Sequence, residues 1–364
     1  MPISTVAIEP IEALVQQLWD RGGTDIHLTA GSPPQFRVDG ELLPVEGAAP
    51  LAPDDTRRII EAMLPPEMWA RLLDQREVDF SFSWQRSIRF RGNAFFQHGT
   101  VSLALRAIPH QIPTTQDLLL PPALEQLCTL GQGLVLITGP TGSGKSTTQA
   151  ALIDWVNRNL ARHVLTLEDP IEYVHEHKRS IISQREVGID THSFAQGLRA
   201  ALREDPDVVL VGEMRDTESI QTTLTIAETG HLVFATLHTN DASTALDRII
   251  DVFPADRQAQ IRTQLAASLA AVVAQRLVPR VGGGMIAAFE ILLANGATRS
   301  LVREGKTHQV RNVISQSVRE GMQTLEQSLS VLVAHGIVTH DDAVQRALLP
   351  NEIRVPTPAQ APVG

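Results

Sequence analysis

Gly139-Pro140-Thr141-Gly142-Ser143-Gly144-Lys145-Ser146 follows directly on the apolar run Leu134-Val-Leu-Ile137 and opens a helical pattern over residues 147–159. The spacing G-x-x-x-x-G-K-[ST] is that of a phosphate loop, and its setting between a strand and a helix is the one that loop requires. Small glycines let backbone N–H groups turn inward around phosphate oxygens. Lys145 adds a point charge at the outer phosphates, and the Ser146 hydroxyl can ligate Mg²⁺. Residues 139–147, Thr147 included, are therefore read as the binding site for a nucleoside triphosphate with its Mg²⁺.

Around that stretch the composition sets limits. The chain has 364 residues, 43% of them hydrophobic, enough for two or three compact domains and too apolar for a largely disordered chain. A formal net charge of −10 argues against a dominant nucleic-acid surface, because phosphate backbones need a positive field. Cys128 is the sole cysteine, which excludes an intrachain disulfide and a cysteine-built zinc site, and a reducing, cytoplasmic compartment is expected. Neither the N-terminal stretch 1–19 nor the most apolar later stretch, 265–277 with its Gln275 and Arg276, reads as a signal peptide or a membrane span.

The pattern changes near residue 109. Ile11, Leu14, Val15 and Leu18 recur at helical spacing, and Gly22-Gly23 follows. Residues 35–38 and 41–43 read as a hairpin around Asp39-Gly40, and 53–73 as one helix. Residues 78–84, 88–97 and 101–108 read as three antiparallel strands. This makes 1–108 a small α+β domain. Residues 109–123, with four prolines between Pro109 and Pro122, read as a stiff linker. Over 124–296 apolar strands at 134–138, 163–167, 208–211 and 232–236 alternate with helices, the rhythm of a parallel sheet covered on both faces. Ligands of such sheets bind at the carboxyl ends of the strands, where the phosphate loop lies. Residues 297–349 read as helical, and 350–364 as a disordered Pro/Ala-rich tail.

Four constellations bear on chemistry. Glu168-Asp-Pro-Ile-Glu172 places three carboxylates beyond a strand, and one of them could orient the water that attacks a phosphate, although a solvated turn looks the same. Asp207-Val-Val-Leu-Val-Gly-Glu213 is a buried strand delivering a carboxylate that can hold Mg²⁺ through water or order the water itself. His231 and His238 flank an apolar strand; either could sense a γ-phosphate, and either could be structural. Arg89 and Arg91 alternate with Phe90 and so share one strand face, with Arg106 on the next strand a third member. They fit arginine fingers and equally an ordinary solvated face.

Taken in order, Gly139 to Thr147, Glu168 to Glu172, Val211-Gly-Glu-Met-Arg-Asp216 and Glu228-Thr-Gly-His-Leu-Val-Phe-Ala-Thr-Leu-His238 resemble the four boxes of the type II/IV secretion ATPase superfamily. Within it the chain looks most like the retraction ATPases of type IV pili, the twitching-motility branch. Ser183-Gln-Arg-Glu-Val-Gly188, Leu198-Arg-Ala-Ala-Leu-Arg-Glu-Asp-Pro-Asp207 and Gly321-Met-Gln-Thr324 add to the likeness, which runs from Asp25-Ile-His-Leu28 to Leu348. The resemblance implies an α/β fold: a RecA-like P-loop ATPase core, a smaller PAS-like N-terminal domain and a helical C-terminal extension. It also implies a homohexamer that couples ATP hydrolysis to domain rotation at the inner-membrane face, working with a pilus platform protein and with a paralogous pilus ATPase as a further partner. Glu172 then takes the catalytic place of the acidic box, Glu213 the Walker B place, and His231 and His238 the histidine-box places. Arg89, Arg91 and Arg106 become γ-phosphate contacts.

One stretch departs from the pattern. Retraction ATPases of this kind carry Ala-Ile-Arg-Asn-Leu-Ile-Arg-Glu, whereas this chain has Ala297-Thr-Arg-Ser-Leu-Val-Arg-Glu304. Because Arg215-Asp216 is retained, the main retraction motor is expected, with the accessory paralogue or a secretion-system ATPase as alternatives. Extension and secretion ATPases usually carry a four-cysteine metal module, which a single cysteine cannot build. From a different class, RecA-like nucleic-acid motors share such cores, but no basic run with interleaved aromatics is present and the chain has one tyrosine.

Overall fold

Leu134, Val135, Leu136 and Ile137 are all fully buried, which happens only to a strand covered on both faces. Alternate residues enter different cores: Leu134 and Leu136 pack with Ile220, Leu224, Ile249 and Leu265, while Val135 and Ile137 pack with Leu124, Leu127, Leu152 and Val156. The computed structural model from which this is read describes residues 6–38, 40–85, 88–108, 111–214 and 216–354. The chain divides into two compact units, Met1–Gln111 and Ile112–Gly364.

In the N-terminal unit, α1 (Glu12–Asp20) leads to a sheet of β1 (Asp25–Leu28), β2 (Gln35–Val38), β3 (Glu41–Pro44), β4 (Glu77–Trp84), β5 (Ile88–Gln97) and β6 (Thr100–Ile108), in the order β3-β2-β1-β6-β5-β4. All neighbours are antiparallel. Helices α2 (Pro53–Met63) and α3 (Pro66–Gln75) join α1 against the sheet. Period-two alternation on β5 buries Ile88, Phe90 and Ala94 and turns Arg89 and Arg91 outward. Phe82 lies opposite Phe90 with the rings stacked 5.3 Å apart. The next place along β5 is Gly92, opposite Phe80, where an added Cβ would come within 2.4 Å of the Phe80 ring.

The second unit carries α4 (Pro122–Cys128), β7 (Gly133–Thr138), α5 (Lys145–Asn159), β8 (His163–Glu168), β9 (Ile181–Glu186), α6 (Phe194–Ala201), β10 (Val208–Val211), α7 (Thr217–Glu228), β11 (Leu232–Leu237), α8 (Ala242–Asp251) and α9 (Ala255–Ser268). Two long strands, β12 (Leu269–Pro279) and β13 (Met285–Leu293), precede α10 (Gly296–Glu304), α11 (Val310–Gln316), α12 (Leu325–Ala334) and α13 (His340–Arg346). The sheet order is β13-β12-β7-β11-β10-β8-β9, parallel throughout except for the antiparallel edge strand β13. This is the α/β architecture expected for a RecA-like core.

Several expectations need correction. The single helix over 53–73 is two, because Leu64 is extended ahead of Pro65-Pro66, and a residue before proline is driven out of the helical region. From Ile112 onward the proline-rich stretch belongs to the second unit: Thr115 and Gln116 donate to Glu125, and Leu118 and Leu120 pack into its core. The region 297–349 is interrupted at residues 321–324, where Gln323 bridges Ile291 of β13. Nor does a loose tail begin at 350. Pro350–Glu352 form a 3-10 turn, Glu352 accepts from Arg311 at 2.6 Å, and Ile353 is buried. Asp39 of the expected turn, Pro109 of the linker, Arg215 and the tail residues 355–364 lie outside the described residues.

Gly92→Ala is expected to lower the stability of the N-terminal unit by about 1–3 kcal/mol through overpacking against Phe80. An unchanged urea midpoint would show that this face of the sheet has room to spare.

Candidate functional site

The phosphate loop bridges β7 and α5 with three glycines at positive φ, Gly139, Gly142 and Gly144. At Gly139 the need is also one of space, since a Cβ would sit 2.6 Å from the Ser143 hydroxyl. Lys145, the first residue of α5, curls back so that its ammonium donates to the carbonyls of Gly139 (2.8 Å) and Pro140 (3.0 Å). Burial lowers the Lys145 pKa, and the nearby charges of Glu213 and Glu172 pull it back up. Those two carbonyl bonds mark where phosphate oxygens could take over the ammonium.

Parallel pairing brings the other groups to the same edge. β11 ends beside the loop, and His238 beyond it places Nδ1 3.4 Å from the Lys145 ammonium and Nε2 3.1 Å from a Glu213 carboxylate oxygen. Glu213 follows β10, whose exit is held by the Gly212 N–H donating to the Leu167 carbonyl (2.7 Å) and by the Thr236 hydroxyl donating to the Gly212 carbonyl. Thr138 and Thr239 are hydroxyl-bonded across β7 and β11 at 2.6 Å, which ties the start of the loop to the histidine segment.

The acidic box separates into distinct roles. Glu168 accepts from the Thr166 hydroxyl (2.7 Å) and the Gln184 amide (3.1 Å); burial raises its pKa and these bonds partly offset the rise. These bonds hold it in place, and it borders the same cleft as Glu172. Glu172 is exposed and lines the same cleft as Lys145, Ser146, Glu213 and His238, a space of about 490 Å³. Its flanks are fixed: the Ile171 N–H donates to Glu186 (3.2 Å), and the Tyr173 hydroxyl bonds Thr147 at 2.9 Å. Farther along, the buried Asp154 of α5 pairs with Lys178, and Asn157 holds the Glu176 carbonyl and the Lys178 N–H. The acidic loop is thus strapped along the phosphate-loop helix.

Thr141, Gly142, Ser143, Gly144 and Thr147 line this cleft as well. Ser146, near the start of α5, and Glu213 have the oxygen donors that a Mg²⁺ held together with phosphate and water requires, so the residues fit the ion. Not every candidate joins. His231 precedes β11 at its opposite end: Nδ1 bonds the Ile226 carbonyl at 3.1 Å, and the His231 carbonyl accepts from Gly133 at the start of β7, a strand length from the loop. Within this chain it caps a turn.

Arg89, Arg91 and Arg106 lie in the N-terminal unit. Arg91 sits directly opposite Arg106, which confirms a shared face. Arg106 Nε donates to the buried Asp25 carboxylate at 2.7 Å, and Arg89 donates to the Ser81 hydroxyl at 2.8 Å. Residues that sequence reasoning passed over include Tyr173, Gln184 and the Thr138–Thr239 pair. Tyr173 had a signal, as the one tyrosine of the chain, next to the acidic box.

A phosphate loop on a buried parallel strand, with a strand-tip carboxylate and a histidine closing on its lysine, defines a P-loop nucleoside triphosphatase. The chain matches the family described as "Type II/IV secretion system protein" over residues 4–287, and it belongs to that family. It is 44% identical over 331 residues to the "Type IV pilus retractation ATPase PilT" of Pseudomonas aeruginosa, covering 91% of this chain and 96% of the relative. The "Type IV pilus ATPase PilU" of the same organism is 41% identical, covering 94% and 90%. A crystal structure of the pilus retraction motor PilT with bound ADP superposes with a TM-score of 0.88 at 46% identity, over 94% of this chain and 98% of that one.

His175, at the rim of this site, carries a pH prediction. Burial lowers its pKa from 6.5 to about 4, against the pull of Asp154. Below pH 6.5 the unfolded chain takes up a proton that the folded chain refuses, so stability is lost as pH falls toward 4. Between pH 7 and 5 the wild type should lose about 2 kcal/mol more than His175→Gln. Equal losses in urea titrations at the two pH values would count against the burial of this imidazole.

Proposed function

We propose that this protein is the ATP-hydrolysing motor of a type IV pilus retraction machine, a homohexamer acting in the cytoplasm at the inner-membrane face on a pilus platform protein. The observation that carries the chemistry is the linked set Lys145, His238 and Glu213 beside Glu172 in one cleft. The name of the PilT relative, alike over nearly both full lengths, carries the biological role.

In this reading the β- and γ-phosphates of ATP lie against the N–H groups of residues 139–147, and Lys145 exchanges the Gly139 and Pro140 carbonyls for phosphate oxygens. Ser146 and Glu213 would hold Mg²⁺, directly or through water, and the ion would supply charge neutralisation on the phosphates. Glu172 orients the attacking water for in-line displacement, so that ADP leaves and the water proton passes to a carboxylate or to phosphate. His238 touches both Lys145 and Glu213 and therefore registers whether a γ-phosphate stands between them. Arg89, Arg91 and Arg106 serve as γ-phosphate contacts during the cycle, and their release lets domains rotate.

An accessory retraction ATPase is the second reading, favoured by the PilU relative and by the altered helix 297–304. There Thr298 sits buried with its hydroxyl on the Leu293 carbonyl (3.1 Å), and Ser300 bonds Glu304 (2.9 Å).

Lys145→Ala should abolish ATP turnover. Glu172→Gln and Glu213→Gln should retain nucleotide binding yet lose on the order of 10²-fold in rate. Normal turnover by Glu172→Gln would demote the acidic box to a structural part. Mass photometry with nucleotide should show a six-fold species, and deleting the gene should leave many immobile pili; bald cells would mean assembly instead of retraction.

A further inference from the structure

Gln275 follows the apolar run Leu269–Ala274 of β12 and is only 2% exposed. A buried carboxamide is costly unless both of its ends are bonded. Both are. Nε2 donates to the Ser143 carbonyl at 2.7 Å, and Oε1 accepts from the Thr148 hydroxyl at 2.8 Å. Because the Ser143 carbonyl can only accept, the orientation of the amide is determined.

Both partners are parts of the phosphate machinery: Ser143 lies on the crest of the loop and Thr148 in the first turn of α5. Register explains the reach. β12 pairs in parallel with β7 as far as Ala274 opposite Thr138, so Gln275 comes next, alongside Gly139. A Cβ at Gly139 would lie 2.4 Å from the Gln275 carbonyl oxygen, and one at Gly144 would lie 2.9 Å from its Nε2. The loop is therefore seated directly on this residue.

Resting on the phosphate-loop reading above, we propose that Gln275 is a positioning residue for the triphosphate: by holding the Ser143 carbonyl toward β12, it aims the Gly144 N–H the opposite way, toward the bound phosphates. The reason is peptide geometry. The carbonyl of Ser143 and the N–H of Gly144 belong to one planar trans unit and point in opposite directions. Gly144, at φ +84°, lines the cleft that holds Lys145 and Glu213. Without the amide the peptide is free to turn, and one phosphate-directed donor loses its aim.

The test uses the full-length protein, with Mg-ATP turnover and Mg-ADP binding by calorimetry. Gln275→Met keeps the volume and removes both bonds; KM for Mg-ATP and Kd for Mg-ADP should rise about tenfold, the size of one lost hydrogen bond to a charged group, with kcat falling less than KM rises. A merely structural role would lower the active fraction, and so kcat, at unchanged KM. Gln275→Glu keeps an acceptor for Thr148 but loses the donor, so its KM should be high at pH 8 and recover at pH 6 as the buried carboxyl regains a proton to donate. Thr148→Val, which removes only the partner of Oε1, covers the case in which the Gln275 variants do not fold; its KM should rise about threefold. Wild-type KM in the folded variants overturns the inference and leaves the phosphate loop standing. A wild-type protein that binds no Mg-ADP overturns both.

Discussion

Parallel pairing of β7, β11 and β10 is the constraint on which the rest of the structure depends. Because the three strands run the same way in register, their carboxyl ends emerge side by side, and each end contributes one part of the cleft: the phosphate loop, His238 and Glu213. A slip of one residue in β11 would turn His238 to the other face and break its contacts with both Lys145 and Glu213. Complete burial of β7 and β11 makes that slip costly, since every residue of both strands is committed to a core.

Around that frame, polar bonds tie the loops to the sheet and its helices. The acidic loop is tied to α5 through Tyr173, Lys178 and Asn157, so Glu172 keeps its place relative to the phosphate loop. The phosphate loop in turn rests on Gln275 of β12. The next residue, Arg276, donates to the Arg346 carbonyl at the end of α13 (3.0 Å), so one strand touches the nucleotide loop and the C-terminal helices at successive positions. Arg311 gathers Glu326 and Glu352, and Glu326 also accepts the Leu348 and Leu349 N–H groups. That network holds residues 348–352 against the core; a buried carboxylate such as Glu326 needs partners of this kind.

Strands with uniform apolar character were legible, and 134–138 and 208–211 stand within a residue of where the periodicity put them. The hairpin 35–43 and the strands 78–84, 88–97 and 101–108 were legible as well, whereas β9, β12 and β13 of the second unit were not. β9 reads Ile-Ile-Ser-Gln-Arg-Glu, too polar to announce itself, and β12 continues the apolar stretch that begins at Leu265 in the last turn of α9, so its start at Leu269 depends on pairing with β7. The two histidines show the same limit. They are equivalent in the sequence, seven positions apart on either side of one strand, yet a strand has two ends and only one of them meets the phosphate loop.

What the sequence by itself determined was the phosphate loop, because glycines at fixed spacing and a following lysine state a backbone conformation locally, and a two-part chain whose second part has a parallel α/β core. Which carboxylate and which histidine reach that loop was decided only by tertiary structure. Glu168 and Glu172 differ by four positions and both border the cleft, but Glu168 is held by Thr166 and Gln184 while Glu172 is exposed. The same holds for Gln275, whose two partners lie more than a hundred residues away in the chain and become neighbours only when β12 pairs with β7. Such contacts are long-range hydrogen bonds, and no local pattern of residues encodes them.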